Sequence, residues 1–290
     1  MPPPEARATP AARVRNALSV DVEDYFQVSA FAGHIPRSLW PGMPCRIERN
    51  LEAVFALLDE RAVHATFFTL GWIARRYPAL VRAIVAGGHE LASHGYAHQR
   101  ANGQGRDQFR RDVMSSKHLL EDIGGQAVLG YRAPSFSLGP GDRAQLDTLA
   151  ACGYVYSSSM YPIAHDHYGA PGAPRFAFRP AGLDGILELP ISTASLFGRN
   201  LPAGGGGYFR LFPYRLSHWL LRRINLADGQ AGIFYFHPWE LDPGQPRQSG
   251  LPLKTRFRHY LNLDRTAPRL RALTRDFSWD RIDRIFLGRP

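Results

Sequence analysis

The chain alternates between short apolar runs, rich in β-branched and aromatic residues, and longer stretches in which apolar side chains recur every three or four positions. The short runs are typical of buried strands and the longer stretches of amphipathic helices. The predicted strands are Asn16–Val22, Ala65–Leu70, His89–Ser93, Val128–Tyr131, Tyr154–Ser157, Ile186–Leu189 and Gly232–Phe236. The predicted helices are Arg46–Glu60, Ile73–Ala86 with a break at Pro78, Arg106–Ile123, Arg143–Cys152 and Pro213–Asn225. This alternation favours an α/β fold, either a parallel sheet or a barrel.

Two stretches interrupt the alternation. His165–Arg179 is loop-like, with glycine and proline throughout. Gly204–Gly207 is a run of glycines directly before Tyr208 and Phe209. Such a run is either a flexible connection or backbone that closely approaches a ligand, and the sequence leaves both interpretations open.

The length of 290 residues suits one α/β barrel or two small domains. We predict a disordered leader over residues 1–15, which are rich in proline, alanine and arginine, and a single domain over residues 16–290. From about residue 245 this domain is expected to continue as a helical extension. Its two or three amphipathic helices should pack on the outside of the barrel.

The amino-acid composition limits which binding partners and which cellular compartment we expect. The net charge of +10 comes almost wholly from arginine, since Lys117 and Lys254 are the only lysines. No basic cluster is interleaved with aromatic residues, so we expect no nucleic-acid partner. Cys45 and Cys152 form no CxxC pair, which favours a reducing compartment. The N-terminal residues lack the apolar core of a signal peptide, and no run is long enough to span a membrane. We therefore expect a cytoplasmic protein without an integral membrane segment.

Four polar segments each follow a predicted strand. They are Asp21–Asp24, His94–His98, Arg132–Pro134 and His237–Glu240. In α/β barrels the C-terminal ends of the strands carry the catalytic groups. Carboxylates, a histidine pair, a fixed cation and a single histidine together suit metal-assisted hydrolysis.

The acidic and histidine segments predict a metal site. Asp21 and Glu23 point the same way on a strand, so one could bind a metal while the other stays free as a base. His94 and His98, on a helical turn, would face the same side. Such a pair needs one carboxylate to form an open zinc site. The alternatives are an acidic cluster that caps a turn and two polar loop histidines.

The two remaining segments offer a cation and a second titratable group. Arg132 could orient a carboxylate through bidentate contacts, or form a surface salt bridge. His237 is either functional or a histidine satisfied at the edge of the core. Trp239 beside it could stack against a sugar ring.

Together these segments resemble the polysaccharide deacetylases of carbohydrate esterase family four, the NodB-homology enzymes, over most of residues 16–240. The similarity is greatest to the subgroup associated with exopolysaccharide and exosortase/PEP-CTERM loci. Three segments carry this closer resemblance: Ser19–Phe26, Gly205–Arg210 and Phe236–Pro243. The resemblance implies an incomplete or distorted (β/α) barrel with a divalent metal, Zn²⁺ being expected, at the C-terminal ends of the strands.

The resemblance also implies roles for individual residues. Asp21 matches the general base, and Arg132 the residue that orients it. His94 and His98 match the two metal ligands, and His237 matches the general acid.

The carboxylate ligand of the metal stays open between Glu23 and Asp24. Many family members have two adjacent aspartates, whereas Val22 takes the second place here. The backbone N–H of Tyr96, or a neighbour, is expected to help the metal hold the oxyanion. The predicted substrate-binding residues are Tyr208, Phe209 and Trp239.

The implied activity is metal-dependent hydrolysis of a non-peptide C–N bond. The expected substrate is an N-acetylhexosamine unit of an exopolysaccharide or its precursor, from which the acetyl group is removed. The expected partners are this carbohydrate and the machinery of exopolysaccharide biosynthesis. Two alternatives remain: an allantoinase-like hydrolase of small cyclic amides, and a noncatalytic carbohydrate-binding protein.

Overall fold

A curled sheet of parallel strands forms the centre of the computed structural model, which describes residues 14–290. The strands in chain order are β1 (Arg15–Val22), β2 (Thr66–Thr69), β3 (Glu90–Ser93), β4 (Gly130–Tyr131), β5 (Tyr156–Ser157), β6 (Leu187–Glu188), β7 (Thr193–Leu196), β8 (Arg199–Pro202), β9 (Ile233–Phe236) and β10 (Ser278–Asp280). Strands β7 and β8 form a separate antiparallel hairpin, which we had not predicted. The leader predicted for residues 1–15 lies outside the described residues, except that Arg15 already starts β1.

The sheet order is β9-β1-β2-β3-β4-β5-β6, and β10 pairs with the N-terminal half of β1. The register aligns the C-terminal ends of neighbouring strands: Val22 lies opposite Thr69, Thr69 opposite Ser93, and Ser93 opposite Tyr131. The polar segments that follow these strands therefore lie on one rim of the sheet.

The sheet curls until its two edges are joined by side-chain and loop contacts. Between β6 and β9, the backbone N–H of Ser192 donates to the carbonyl of Ile233 over 3.3 Å. The N–H of Ile233 donates in return to the Ser192 hydroxyl over 2.6 Å. This is the distorted (β/α) barrel that the sequence predicted.

The alternation of side chains along β1 explains what faces the barrel interior. Leu18 and Val20 are buried in the apolar layer between the sheet and the helices. Ser19 and Asp21 point the other way, and both accept a hydrogen bond from the buried Arg132. One face of the strand thus builds the core and the other builds a polar interior.

The helices, in chain order, are α1 (Ile47–Asp59), α2 (Gly71–Arg76), α3 (Pro78–Ala86), α4 (Arg106–Gly124), α5 (Arg143–Ala151), α6 (Gly206–Leu211), α7 (Tyr214–Ala227), α8 (Leu253–Tyr260), α9 (Thr266–Asp276) and α10 (Ile282–Phe286). The predicted break at Pro78 is confirmed, because it separates α2 from α3. Over residues 14–290, no helix is both long and apolar enough to cross a bilayer.

The C-terminal tail differs from its prediction as a purely external extension. Helices α8, α9 and α10 are present, but β10 lies between the last two and pairs with β1. Trp279 of β10 is buried and packs edge-on against Phe234 of β9, with ring centroids 6.1 Å apart. The tail therefore completes the sheet as well as covering it.

Candidate active site

Three buried side chains on the rim converge in the way that a metal ion requires. Glu23 follows β1, while His94 and His98 belong to the loop after β3. One ligand atom from each residue lies within 4.8 Å of the other two. The Nε2 atom of His98 is 2.8 Å from Oε2 of Glu23.

The loop that carries the two histidines is not the helical turn we expected. Gly95 and His98 both have left-handed backbone conformations, with φ of 73° and 50°. A Cβ atom at Gly95 would lie 2.9 Å from the Asp112 carboxylate, so this position requires glycine for space as well. The irregular backbone, not helical periodicity, brings the imidazoles together.

Asp112 on α4 anchors the middle of this loop. The backbone N–H of Tyr96 donates to both carboxylate oxygens of Asp112 over 3.3 Å. Burial raises the pKa of Asp112 to about 6, although the Tyr96 hydrogen bond and Arg37 act against the shift. The expected role of the Tyr96 N–H in holding an oxyanion was wrong, because that donor is directed at Asp112.

His94 is prepared to act as a ligand through Nε2. Its Nδ1–H donates to the backbone carbonyl of Arg132 over 2.8 Å, which fixes the tautomer and the orientation of the ring. Burial lowers the pKa of His94 to about 4. The imidazole is therefore neutral at physiological pH, as metal coordination requires.

Glu23 supplies a carboxylate that fits the same role. Burial favours its neutral form, but His98, His237 and His94 outweigh burial and lower the pKa of Glu23 to about 2. Its Oε2 atom is buried and finds no well-oriented hydrogen-bond donor among the described residues. A carboxylate with an unsatisfied oxygen beside two imidazoles is the donor set of an open three-ligand zinc site.

Asp24, the competing carboxylate, lies elsewhere. Its Oδ1 accepts the backbone N–H of Tyr25 over 2.8 Å. Its Oδ2 accepts the backbone N–H of Arg46 over 2.5 Å and the thiol of Cys45 over 3.0 Å. Asp24 thus holds the start of α1, and its prediction as a metal ligand is corrected in favour of Glu23.

Asp21 is held beside Glu23, His94 and His98 by a fully buried arginine. The Nη1 atom of Arg132 donates to Oδ1 of Asp21 over 2.6 Å and to Oγ of Ser19 over 2.9 Å. Ser158 accepts the other guanidinium donors through its carbonyl and its hydroxyl. The guanidinium also lies 4.0 Å from the ring centroid of Phe68. Arg132 therefore orients the carboxylate by a single nitrogen, not by the bidentate contact we expected.

His237 faces both carboxylates from the end of β9. Its Nε2 lies 3.3 Å from Oε1 of Glu23 and 4.0 Å from Oδ2 of Asp21. Its Nδ1 lies 2.6 Å from Oε1 of Glu240. Burial opposes protonation, but Glu23, Glu240 and Asp21 outweigh it and raise the pKa of His237 to about 9. The imidazole is accordingly in its acid form at neutral pH.

Glu240 is a further candidate site residue, to which the sequence analysis assigned no role of its own. It is fully buried between His237 and Arg210, whose Nε donates to Oε2 of Glu240 over 3.0 Å. The signal was present in the three-residue spacing from His237, since a single helical turn brings such positions together. The residues Pro238–Leu241 do form a short 3₁₀ turn.

Two glycines of the run are required by close packing, whereas Gly207 lines the candidate pocket, so backbone close to a ligand remains a prediction. A Cβ atom on Gly206 would lie 2.2 Å from Oε2 of Glu240, and one on Gly204 would lie 2.2 Å from a carbonyl oxygen of β9. At Gly204 the chain packs against β9, and at Gly206 it packs against Glu240, whose carboxylate contacts Nδ1 of His237.

Two of the three predicted substrate-binding residues are not free to bind a sugar. Trp239 is 4% exposed and stacks between His237, at 5.1 Å, and His259, at 4.2 Å. Phe209 is 2% exposed and packs edge-on against Phe234, at 5.0 Å. Both are corrected to supporting roles, because their ring faces are covered by the protein.

Five of the candidate residues line a pocket of about 500 Å³, namely Asp21, Glu23, His94, His98 and His237. Its other walls come from the loop containing residues 165–168, from α6 and from α8. Tyr208, the third predicted substrate residue, is half-buried and lines this pocket. It remains a candidate for substrate binding.

Two family matches cover most of the chain. Residues 42–157 match the family described as polysaccharide deacetylase, and residues 158–287 match a domain of unknown function, DUF3473. Residues 42–157 are thus similar to the polysaccharide deacetylases. The candidate site draws on both matched segments, since His94 and Arg132 lie in the first and His237 in the second.

Curated relatives match over a limited length. A peptidoglycan-N-acetylglucosamine deacetylase of Bacillus cereus is 31% identical over 88 residues, which are 29% of this chain and 32% of that protein. A chitooligosaccharide deacetylase of Sinorhizobium fredii is 37% identical over 82 residues, which are 28% of this chain and 38% of that protein. The chain thus aligns with only about a third of each relative.

Solved structures extend the similarity to the whole fold. A Mycobacterium smegmatis protein assigned to the polysaccharide deacetylases superposes with a TM-score of 0.54 at 20% identity, over 94% of this chain and 96% of that chain. The Puue allantoinase superposes with a TM-score of 0.58 at 16% identity, over 94% of this chain and 89% of that chain. At these identities the comparisons establish the shared barrel alone.

Proposed function

We propose that this protein is a metal-dependent deacetylase that removes N-acetyl groups from the N-acetylhexosamine units of a polysaccharide. The observation that carries the proposal is the position of the Glu23–His94–His98 cluster in one pocket with Asp21 and His237. The deacetylases of Bacillus cereus and Sinorhizobium fredii that the chain resembles support the substrate class.

The side chains divide the proton transfers of amide hydrolysis between them. Glu23, His94 and His98 would hold a divalent ion, which would supply a Lewis acid to polarise the acetamide carbonyl and lower the pKa of water. Asp21, fixed by Arg132, accepts the proton of the attacking water. His237, held at Nδ1 by Glu240, donates a proton from Nε2 to the departing amine. Acetate and a free amino sugar unit leave the site.

We further propose a specific metal, substrate and setting. Mixed nitrogen and oxygen ligands suit Zn²⁺. We propose that the natural substrate is an exopolysaccharide or its precursor, and that the gene lies in an exosortase/PEP-CTERM locus. Support comes from the resemblance carried by three segments: Ser19–Phe26, Gly205–Arg210 and Phe236–Pro243. Two free cysteines favour a reducing, cytoplasmic setting beside the machinery of exopolysaccharide biosynthesis.

Acetate release from the pentamer of N-acetylglucosamine, by purified protein loaded with Zn²⁺, tests the proposal. The wild type should release acetate, and Asp21→Asn should lose activity by a factor of about 10² or more while it retains zinc. Glu52→Gln, an equal change of charge on the exposed face of α1, should match the wild type.

Two results would contradict this assignment. Loss of zinc from Asp21→Asn would make Asp21 a ligand and leave the base unassigned. Turnover of allantoin without acetate release would favour the allantoinase-like alternative, and pentamer binding without any turnover would favour the noncatalytic one.

A further inference from the structure

An exposed aromatic side chain lines the pocket that contains Glu23, His94 and His98. Phe257 on α8 is 58% exposed, yet it lines the same pocket as Glu23, His94 and His98. Leu211 of α6 is 47% exposed and lines this pocket as well. Exposed apolar surface contributed by more than one residue is typical of ligand-binding grooves, whereas a single exposed apolar side chain is not. The aromatic rings that contact His237, those of Trp239 and Tyr235, are buried and cannot serve.

A second aromatic surface lines the pocket with it. The half-buried Tyr208 lies edge-on to His165, with ring centroids 6.3 Å apart. His165 in turn stacks on Tyr168, at 3.9 Å. This group gives the pocket a wall of ring surfaces that carries little charge.

Helix α8 is tied to that wall by a shared carboxylate. Asp166 accepts hydrogen bonds from Lys254 and, over 2.9 Å, from Arg258. These two residues flank Phe257 on the helix, while Asp166 is the neighbour of His165 in the loop. These exposed ion pairs join α8 to the loop that carries His165, although each adds little to stability.

We propose that Phe257 and Tyr208 form a sugar-binding subsite beyond the reacting acetamide, so that the enzyme acts on sugars within a chain in preference to single units. This inference rests on the proposed deacetylase function and specifies its substrate. The C–H face of a pyranose ring is apolar and flat enough to cover an aromatic ring, which removes apolar surface of both partners from water. A Phe ring adds contact without a charge or hydrogen bond, which suits a neutral glycan.

Comparing kcat/KM for acetate release from the monomer and the pentamer of N-acetylglucosamine tests the subsite. The wild type should prefer the pentamer. Phe257→Ala should lower the pentamer-to-monomer ratio of kcat/KM about fivefold, since aromatic stacking contributes on the order of 1 kcal/mol. Phe257→Trp should restore the ratio, because it returns a ring face at the same position.

Leu253→Ala is the matched control. Leu253 lies one helical turn earlier on α8 and is 81% exposed, but it does not line the pocket. Its substitution should leave the ratio unchanged. A general disturbance of the exposed face of α8 would instead lower the ratio in both variants.

An unchanged ratio in Phe257→Ala would overturn the subsite. If kcat/KM falls equally on monomer and pentamer, Phe257 supports the pocket instead. If kcat/KM is unaffected and both α8 variants sediment less with phosphatidylglycerol vesicles, the exposed face of α8 is a lipid contact.

Failure of the proposed function would be recognised separately. If the wild type releases no acetate from either glycan, the affinity of wild type and Phe257→Ala for the pentamer, measured by calorimetry, still decides the subsite. Weaker binding by the variant would support it, and equal binding would overturn it.

Discussion

Asp21 lies on β1 and Glu23 directly follows the strand, where its backbone N–H donates to the carbonyl of Asp21 over 3.0 Å. Both side chains line the same pocket. Asp24, one position further, turns away and accepts hydrogen bonds from the backbone at the start of α1. Three acids that look equivalent in the sequence thus have three separate environments. One is paired with Arg132, one lies among histidines, and one stabilises a helix start.

The assignment of Glu23 as the metal's carboxylate predicts opposite effects of two conservative substitutions. Glu23→Gln should retain its fold but lose most bound zinc after dialysis, because a neutral amide is a much weaker ligand. Asp24→Asn should keep about one zinc per chain and lose about 1 kcal/mol of stability, since it accepts hydrogen bonds less strongly. Metal analysis and thermal unfolding of both proteins provide the measurements. Full zinc occupancy in Glu23→Gln would refute the ligand assignment.

Residue spacing was informative where the backbone is regular. It predicted that Asp21 and Glu23 share a side, and that Arg132 follows a strand onto the same rim. It was wrong for His94 and His98, because a left-handed residue at Gly95 replaces the assumed helical turn. The expected sugar contact of Trp239 was also wrong. Only the packing of His259, from a distant helix, shows that the ring faces of Trp239 are covered.

At the level of elements, strand ends were predictable and close packing between elements was not. Runs of β-branched and aromatic residues located the seven predicted strands that lie in the sheet, and Pro78 located a helix boundary. The tail strand β10 was missed, because its three residues carry too little periodicity to distinguish it from a loop. The glycine run was recognised as unusual, but its reason lies in contacts with β9 and Glu240.

The glycine run offers a matched pair of substitutions. Gly206→Ala would place a Cβ atom 2.2 Å from the Glu240 carboxylate, whereas an added Cβ at Gly207 meets no atom within 4 Å. We expect Gly206→Ala to lose about 1–3 kcal/mol of stability by overpacking, and to lose activity as Glu240 is displaced from His237. Gly207→Ala should be close to wild type in both. Urea unfolding and acetate release measure the two effects, and equal behaviour of the variants would contradict the packing role.

On the scale of the whole molecule, the site depends on closure of the barrel. The deacetylase match ends at residue 157, and the segment from residue 158 onward contributes Ser158, which holds Arg132, and His237. Glu188 at the end of β6 stabilises the backbone that follows Ser158, since its Oε1 accepts the backbone N–H groups of Ser159 and Met160 over 2.9 Å. A carboxyl group therefore supports the backbone beside the residue that orients the proposed base.

The state of Glu188 predicts how stability depends on pH. Burial raises the pKa of Glu188 to about 7, although hydrogen bonds from Ser157, Met160 and Ser159 act against the shift. Because the folded pKa exceeds the unfolded value of 4.5, the stabilising contribution of the neutral carboxyl group is complete below about pH 4.5. That contribution is lost as the pH rises through about 7.

Glu188→Gln separates this effect from other titrating groups. The amide oxygen can still accept both backbone N–H groups, and the side chain stays neutral at every pH. Wild type and variant should unfold with similar free energies near pH 5. By pH 8 the variant should be more stable by up to about 3 kcal/mol, which is the value of a shift of this size. Urea unfolding at the two pH values measures the difference, and a gap that does not widen with pH would show that Glu188 is ionised in the folded protein.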